Sequence, residues 1–102
     1  MRKSVLLLTT LALVTCNGSA FAADAARGKE LARRVCAICH AVMEGQNPRD
    51  PNAPSFQAIA TSQQFREKGM EVLGKDHSKM PNLALTQEQS NDVGAYIKSL
   101  AK

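Results

Sequence analysis

Two cysteines and a histidine within five residues, Cys36-Ala37-Ile38-Cys39-His40, constrain this chain more than any other feature. Residues i and i+3 of a helical turn lie on one side, so a turn here aims both thiols the same way. His40 then offers an imidazole nitrogen beside them. Two thiols so placed can each form a thioether with a vinyl group on one edge of a porphyrin, while the imidazole binds its iron. C-x-x-C-H is the attachment sequence of such a c-type haem. Three other uses of the pair fit less well. A thioredoxin-like redox pair sits in a βαβ unit, and no segment here alternates with period two. A zinc site needs further ligands at zinc spacing, and only His77 remains. A disulfide between residues three apart strains helical geometry. One haem c is therefore expected, covalent through Cys36 and Cys39, with His40 as an axial ligand.

The start of the chain places this chemistry outside the cytoplasm. Met1-Arg2-Lys3 is a short basic start, Val5 to Val14 is mostly apolar, and Ala20-Phe21-Ala22 has small residues at its outer positions. That order is a secretory leader with an A-x-A cleavage site. The apolar run falls short of the roughly 20 residues needed to span a bilayer. Residues 1–22 are expected to be a signal peptide and residues 23–102 a single periplasmic domain, with no stable membrane insertion. Cys16 is the alternative, as a lipidated N-terminus, although Thr15 is bulkier than the Gly or Ala usual before such a cysteine. With the leader gone, Arg2 and Lys3 go too, and the net charge falls from +4 to +2. No basic run with interleaved aromatics suggests nucleic acid. Of three cysteines, only the motif pair stays.

The 80 residues left are near the lower limit for folding on core burial alone. Their aromatics are Phe56, Phe65 and Tyr96, with no Trp. A bound porphyrin would supply the missing core volume. Helix formers fill Ala23 to about Ala37, with Asp24 as N-cap. Pro, Gly, Asn and Asp crowd Glu44 to Pro54, which reads as a loop. A short helix is expected over Ser55–Ala60 and another over Ser62–Leu73, weakened by Gly69. A second loop covers Gly74–Asn82. Thr86 and Gln89 form a capping box, and Val93, Tyr96, Ile97 and Leu100 make one apolar face behind it. The class is all-α.

The sixth iron ligand is the open point. Met80 precedes Pro81, and a residue before proline is pushed to an extended conformation that projects its side chain from a loop. His/Met is a known c-type axial pair. His77 competes, because bis-histidine ligation is ordinary chemistry, and a loop methionine can also serve as core filler. Met80 is the expected ligand, with His77 as the competitor.

With these features together, the chain resembles the class I c-type cytochromes, specifically the small monohaem bacterial kind. The resemblance rests on Cys36-Ala-Ile-Cys39-His40 near the mature N-terminus, Met80-Pro81 about forty residues on, and the amphipathic last helix. It implies three to four helices around one haem, with the N- and C-terminal helices crossing where a glycine meets an aromatic. Gly28 and Tyr96 match those places. The aromatic often found four residues after that glycine is here Ala32. Ala53-Pro54-Ser55-Phe56 is similar to the family's Gly-Pro-Asn-Leu stretch, which implies that the Pro54 carbonyl accepts a hydrogen bond from the second ring nitrogen of His40. The family's Trp near a propionate has no counterpart, and Arg49 and Arg66 are candidate propionate partners. By this resemblance the protein is a monomeric electron shuttle and not an enzyme. It would pass single electrons among dehydrogenases, membrane complexes, oxidases or reductases, with Lys75 and Lys79 available to steer an acidic partner. The alternative is an open-site haem protein that binds a diatomic gas or acts as a weak peroxidase, should Met80 not bind iron.

Overall fold

The computed structural model describes residue 12, residues 22–72, residue 77 and residues 84–102. Among these every regular element is helical. The order is α1 (Ala25–Val35), a 3-10 turn (Cys36–Ile38), α2 (Phe56–Thr61), α3 (Gln63–Lys68), a second 3-10 turn (Gly69–Val72) and α4 (Gln87–Ser99). The Met80-Pro81 pair, Lys75, Lys79 and nearly all of the leader lie outside the described residues.

Local chemistry explains the helix ends. The Asp24 carboxylate accepts from the amides of Ala26 and Arg27, as an N-cap of α1 should. Ser62 serves two helices at once. Its hydroxyl donates to the Ile59 carbonyl at the end of α2 and accepts from the Phe65 amide at the start of α3. One serine thus turns the chain between the two short helices, at the break expected there. Gly69 ends α3 with φ of 57°, a left-handed conformation that favours glycine. The Thr86–Gln89 capping box forms in both directions at α4.

The fold is organised by α1 lying across α4. Gly28 sits so close to α4 that a Cβ there would come within 1.9 Å of the Asp92 carbonyl oxygen. Only a residue without a side chain permits this approach. The glycine expected at the crossing is therefore needed, and what it meets is the Asp92–Val93 backbone, one turn before Tyr96. Ala32, where an aromatic is common, is fully buried, as is Val93, so the crossing closes without the larger side chain. Tyr96 works elsewhere. Its hydroxyl donates to the Val42 carbonyl at 2.6 Å, and its ring lies 6.3 Å from that of Phe56.

Charge pins the same crossing. Asp92 is 4% exposed. It accepts from the Asp24 amide at 2.8 Å and from the Arg27 guanidinium at 3.1 Å. Arg27 also reaches Glu88 and Asp24. The Arg27 hydrogen bond, then the Asp24 amide, hold the Asp92 carboxyl below its usual range. All three aromatics of the domain are buried with Val42, Ala60 and Ile97.

Candidate haem-binding site

The two thiols come from the 3-10 turn that extends α1. In a 3-10 turn side chains at i and i+3 eclipse, which aligns Cys36 and Cys39 better than an α-turn would. The amides of Cys39 and His40 both donate to the Cys36 carbonyl, at 3.2 and 2.9 Å, closing the motif on itself. Both cysteines are half-buried and make no disulfide. Before attachment, burial pushes the Cys36 thiol up to about 11. Ile38 between them is 61% exposed, which puts this edge of the motif at the surface.

His40 is oriented by the loop that follows it. The Asp50 amide donates to the Cys39 carbonyl, and the Phe56 amide donates to the Ala41 carbonyl. These bonds lay residues 54–56 alongside residues 40–42. The Pro54 carbonyl then lies 2.6 Å from His40 Nδ1. A carbonyl oxygen only accepts, so Nδ1 carries the proton and Nε2 keeps its lone pair. The Phe56 ring, 5.6 Å away and tilted, backs the imidazole.

Beyond His40 lies an apolar cleft. Cys36, Ile59, Met70, Val72, Val93 and Ile97 line it with His40 and His77. The Cys36 thiol and the His40 imidazole in the cleft, its aliphatic walls, and Cys39 at the end of the same turn fit an apolar macrocycle holding a metal. They do not fit a bare metal ion. Among the described residues no group of three or more His, Cys, Asp or Glu could hold one. Neither Arg49 nor Arg66 is among the residues lining the cleft. His77, by contrast, brings its ring centre 6.0 Å from that of His40, with 28° between the planes.

The model of the family Cytochrome c matches residues 25–101, which takes in every element of the site. The chain belongs to the cytochrome c family. It is also 40% identical over 91 residues to cytochrome c-552 of Bradyrhizobium diazoefficiens, with 88% of each chain covered. No solved structure matches it. This cytochrome carries one haem c, covalently bound through Cys36 and Cys39, and transfers electrons to redox partners. None of its described helices is long and apolar enough to cross a membrane.

The motif cysteines, His40 and Pro54 are thus brought together where the sequence put them. Met80 falls outside the described residues. Sequence reasoning caught two participants only in part. Ile38 was a spacer in the motif, and its exposure depends on how the turn ends. His77 was weighed as the competitor of Met80 for the iron, and its stacking on His40 is a long-range fact that no local pattern carries.

Proposed function

We propose that this cytochrome is an exported one-electron shuttle, with residues 1–22 a cleaved leader and His40 and Met80 the axial ligands. It works as a monomer between periplasmic redox proteins. The observation that carries the reading is the bond from His40 Nδ1 to the Pro54 carbonyl. Such a bond fixes the tautomer, orients the ring and raises the basicity of the ligating nitrogen. When bound, the haem supplies the chemistry by taking up and releasing one electron at its iron.

The chain's own residues do the rest. The aliphatic walls and Phe56 exclude water, which disfavours the more highly charged ferric state and raises the reduction potential. A thioether from Met80 acts in the same direction, because it is a neutral, weak donor. The exposed edge at Ile38 gives a partner an apolar point of approach beside the two thioethers.

Two measurements test this reading. Intact mass of periplasmic material should equal the chain from Ala23 plus one haem, and a bare-polypeptide mass after expression with a haem-maturation system would refute it. Ferric optical spectroscopy should show the weak far-red sulfur-to-iron band. Its absence would remove Met80 from the iron.

A further inference from the structure

Tyr96 has no part in the function proposed above, yet it holds the backbone next to His40. That backbone leaves the helical turn at Cys39 and enters no other element until Phe56. Its carbonyls therefore have no helical partners, and buried ones must be paired from elsewhere. The Cys39 carbonyl accepts from the Asp50 amide and the Ala41 carbonyl from the Phe56 amide. Both donors lie a short way along the chain. The Val42 carbonyl is different, because it accepts at 2.6 Å from the Tyr96 hydroxyl on α4, 54 residues away. Val42 is 2% exposed, so no other donor replaces Tyr96 without cost. Burial raises the Tyr96 pKa, against an opposing Arg33, so the hydroxyl stays protonated and donates. Behind this bond the rings are packed in series. Tyr96 lies 6.3 Å from Phe56, and Phe56 lies 5.6 Å from His40. A bond serving the helix crossing alone would join α1 to α4, as those of Asp92 do. This one joins α4 to the segment that carries the imidazole.

We propose that Tyr96 is a positioning residue for His40, acting through its hydroxyl on the Val42 carbonyl. By fixing residues 40–42 against the loop, it sets the rotation of the imidazole and keeps Nδ1 on the Pro54 carbonyl. The inference rests on His40 as an axial ligand, as proposed above. The plane of an axial imidazole decides how unpaired spin spreads over a ferric haem, and its Nδ1 bond decides how basic the ligating nitrogen is. Tyr96 thus tunes the redox couple although it is not among the residues lining the cleft.

The test compares four forms of the haem-loaded protein. Tyr96 is the only tyrosine in the sequence, so growth on 3-fluorotyrosine places the analogue there alone. The others are wild type, Tyr96→Phe and Thr86→Ala, which removes the cap of α4 and weakens that helix far from residues 40–42. NMR of the reduced, diamagnetic form follows the His40 Nδ1 proton. NMR of the oxidised form follows the haem methyls, and voltammetry gives the midpoint potential. Tyr96→Phe should move the Nδ1 proton upfield, as a weaker hydrogen bond does, and redistribute the methyl shifts. It should also raise the potential, because a less basic ligand stabilises the ferric state less. The fluorotyrosine form keeps the donor and should match wild type in all three, as should Thr86→Ala. Wild-type values in Tyr96→Phe would overturn the proposal and leave Tyr96 a packing residue. Equal changes in Thr86→Ala would overturn it by making the effect one of stability. Equal changes in the fluorotyrosine form would overturn it too, since the donor is intact there. If wild type shows His40 ring protons without the porphyrin's ring-current shift, the His40 assignment itself falls, and Tyr96 has no ligand to position.

Discussion

At the crossing of α1 on α4, backbone meets backbone: Gly28 lies against Asp92, Ala32 and Val93 fill the space beside it, and Asp92 has its hydrogen bonds satisfied by Arg27 and Asp24. Next along α1, the cleft beyond Cys36 is walled by side chains from several elements, and its polar groups are the Cys36 thiol and two imidazoles. The crossing is complete as protein. The cleft has aliphatic walls that face a bound group, so its stability depends on what it holds. The difference teaches where this small chain keeps its own stability and where it depends on the cofactor.

The comparison breaks most visibly if the cofactor is removed. Cys36→Ser with Cys39→Ser should abolish covalent haem and the cooperative thermal transition followed by circular dichroism. A cooperative melt near that of the holoprotein would mean that the crossing suffices for the whole domain. Next in size is the crossing itself. Gly28→Ala sets a methyl against immovable backbone and should cost about 3 kcal/mol in denaturant unfolding of the holoprotein. Gly94→Ala on α4 is the control, because its Cβ would meet only the movable Met70 side chain. It should stay within about 1 kcal/mol of wild type, helped by the better helix propensity of alanine. Equal losses at the two glycines would deny the crossing its special tightness.

A smaller effect should appear in acid. The Asp92 carboxyl is lowered from an ordinary value of 3.8, first by Arg27 and then by the Asp24 amide. A lowered folded value means that its contribution is full above the unfolded value and is lost as pH falls through the folded one. Asp92→Asn should therefore be less stable than wild type at pH 7, with the gap closing below about pH 4. A gap that persists unchanged at low pH would show that shape, not charge, holds Asp92 in place. The smallest change in stability is expected at the cleft's outer edge. Ile38→Asp should shift unfolding by no more than about 0.5 kcal/mol, as exposed positions do. It should nevertheless slow electron self-exchange between oxidised and reduced copies, measured by NMR line broadening. Unaltered exchange would place the approach surface elsewhere.

Much of this architecture was readable in advance because its signals are local. The Asp24 cap, the Thr86–Gln89 box, the proline-rich loop and the C-x-x-C-H turn each involve residues a few positions apart, whose chemistry decides the backbone directly. The Pro54 bond to His40 was reachable only through resemblance to a family, since nothing local joins residues 40 and 54. The Asp92 network and the Tyr96 hydroxyl on Val42 were not readable at all, and His77 was weighed for the site without its stacking on His40. Each depends on which surfaces meet once the helices cross. Asp92 lies next to the apolar positions of α4, and what it meets there is Arg27 of α1 and the Asp24 amide.

The contacts that shut the molecule are distant in sequence: 54 residues separate Val42 from Tyr96, 65 separate Arg27 from Asp92, and 68 separate Asp24 from Asp92. Contacts of that span form late, after the chain has paid the entropy of a long closure. Until those contacts form, the Cys36–His40 turn, closed by its own local hydrogen bonds, lacks the wall that Val93 and Ile97 supply.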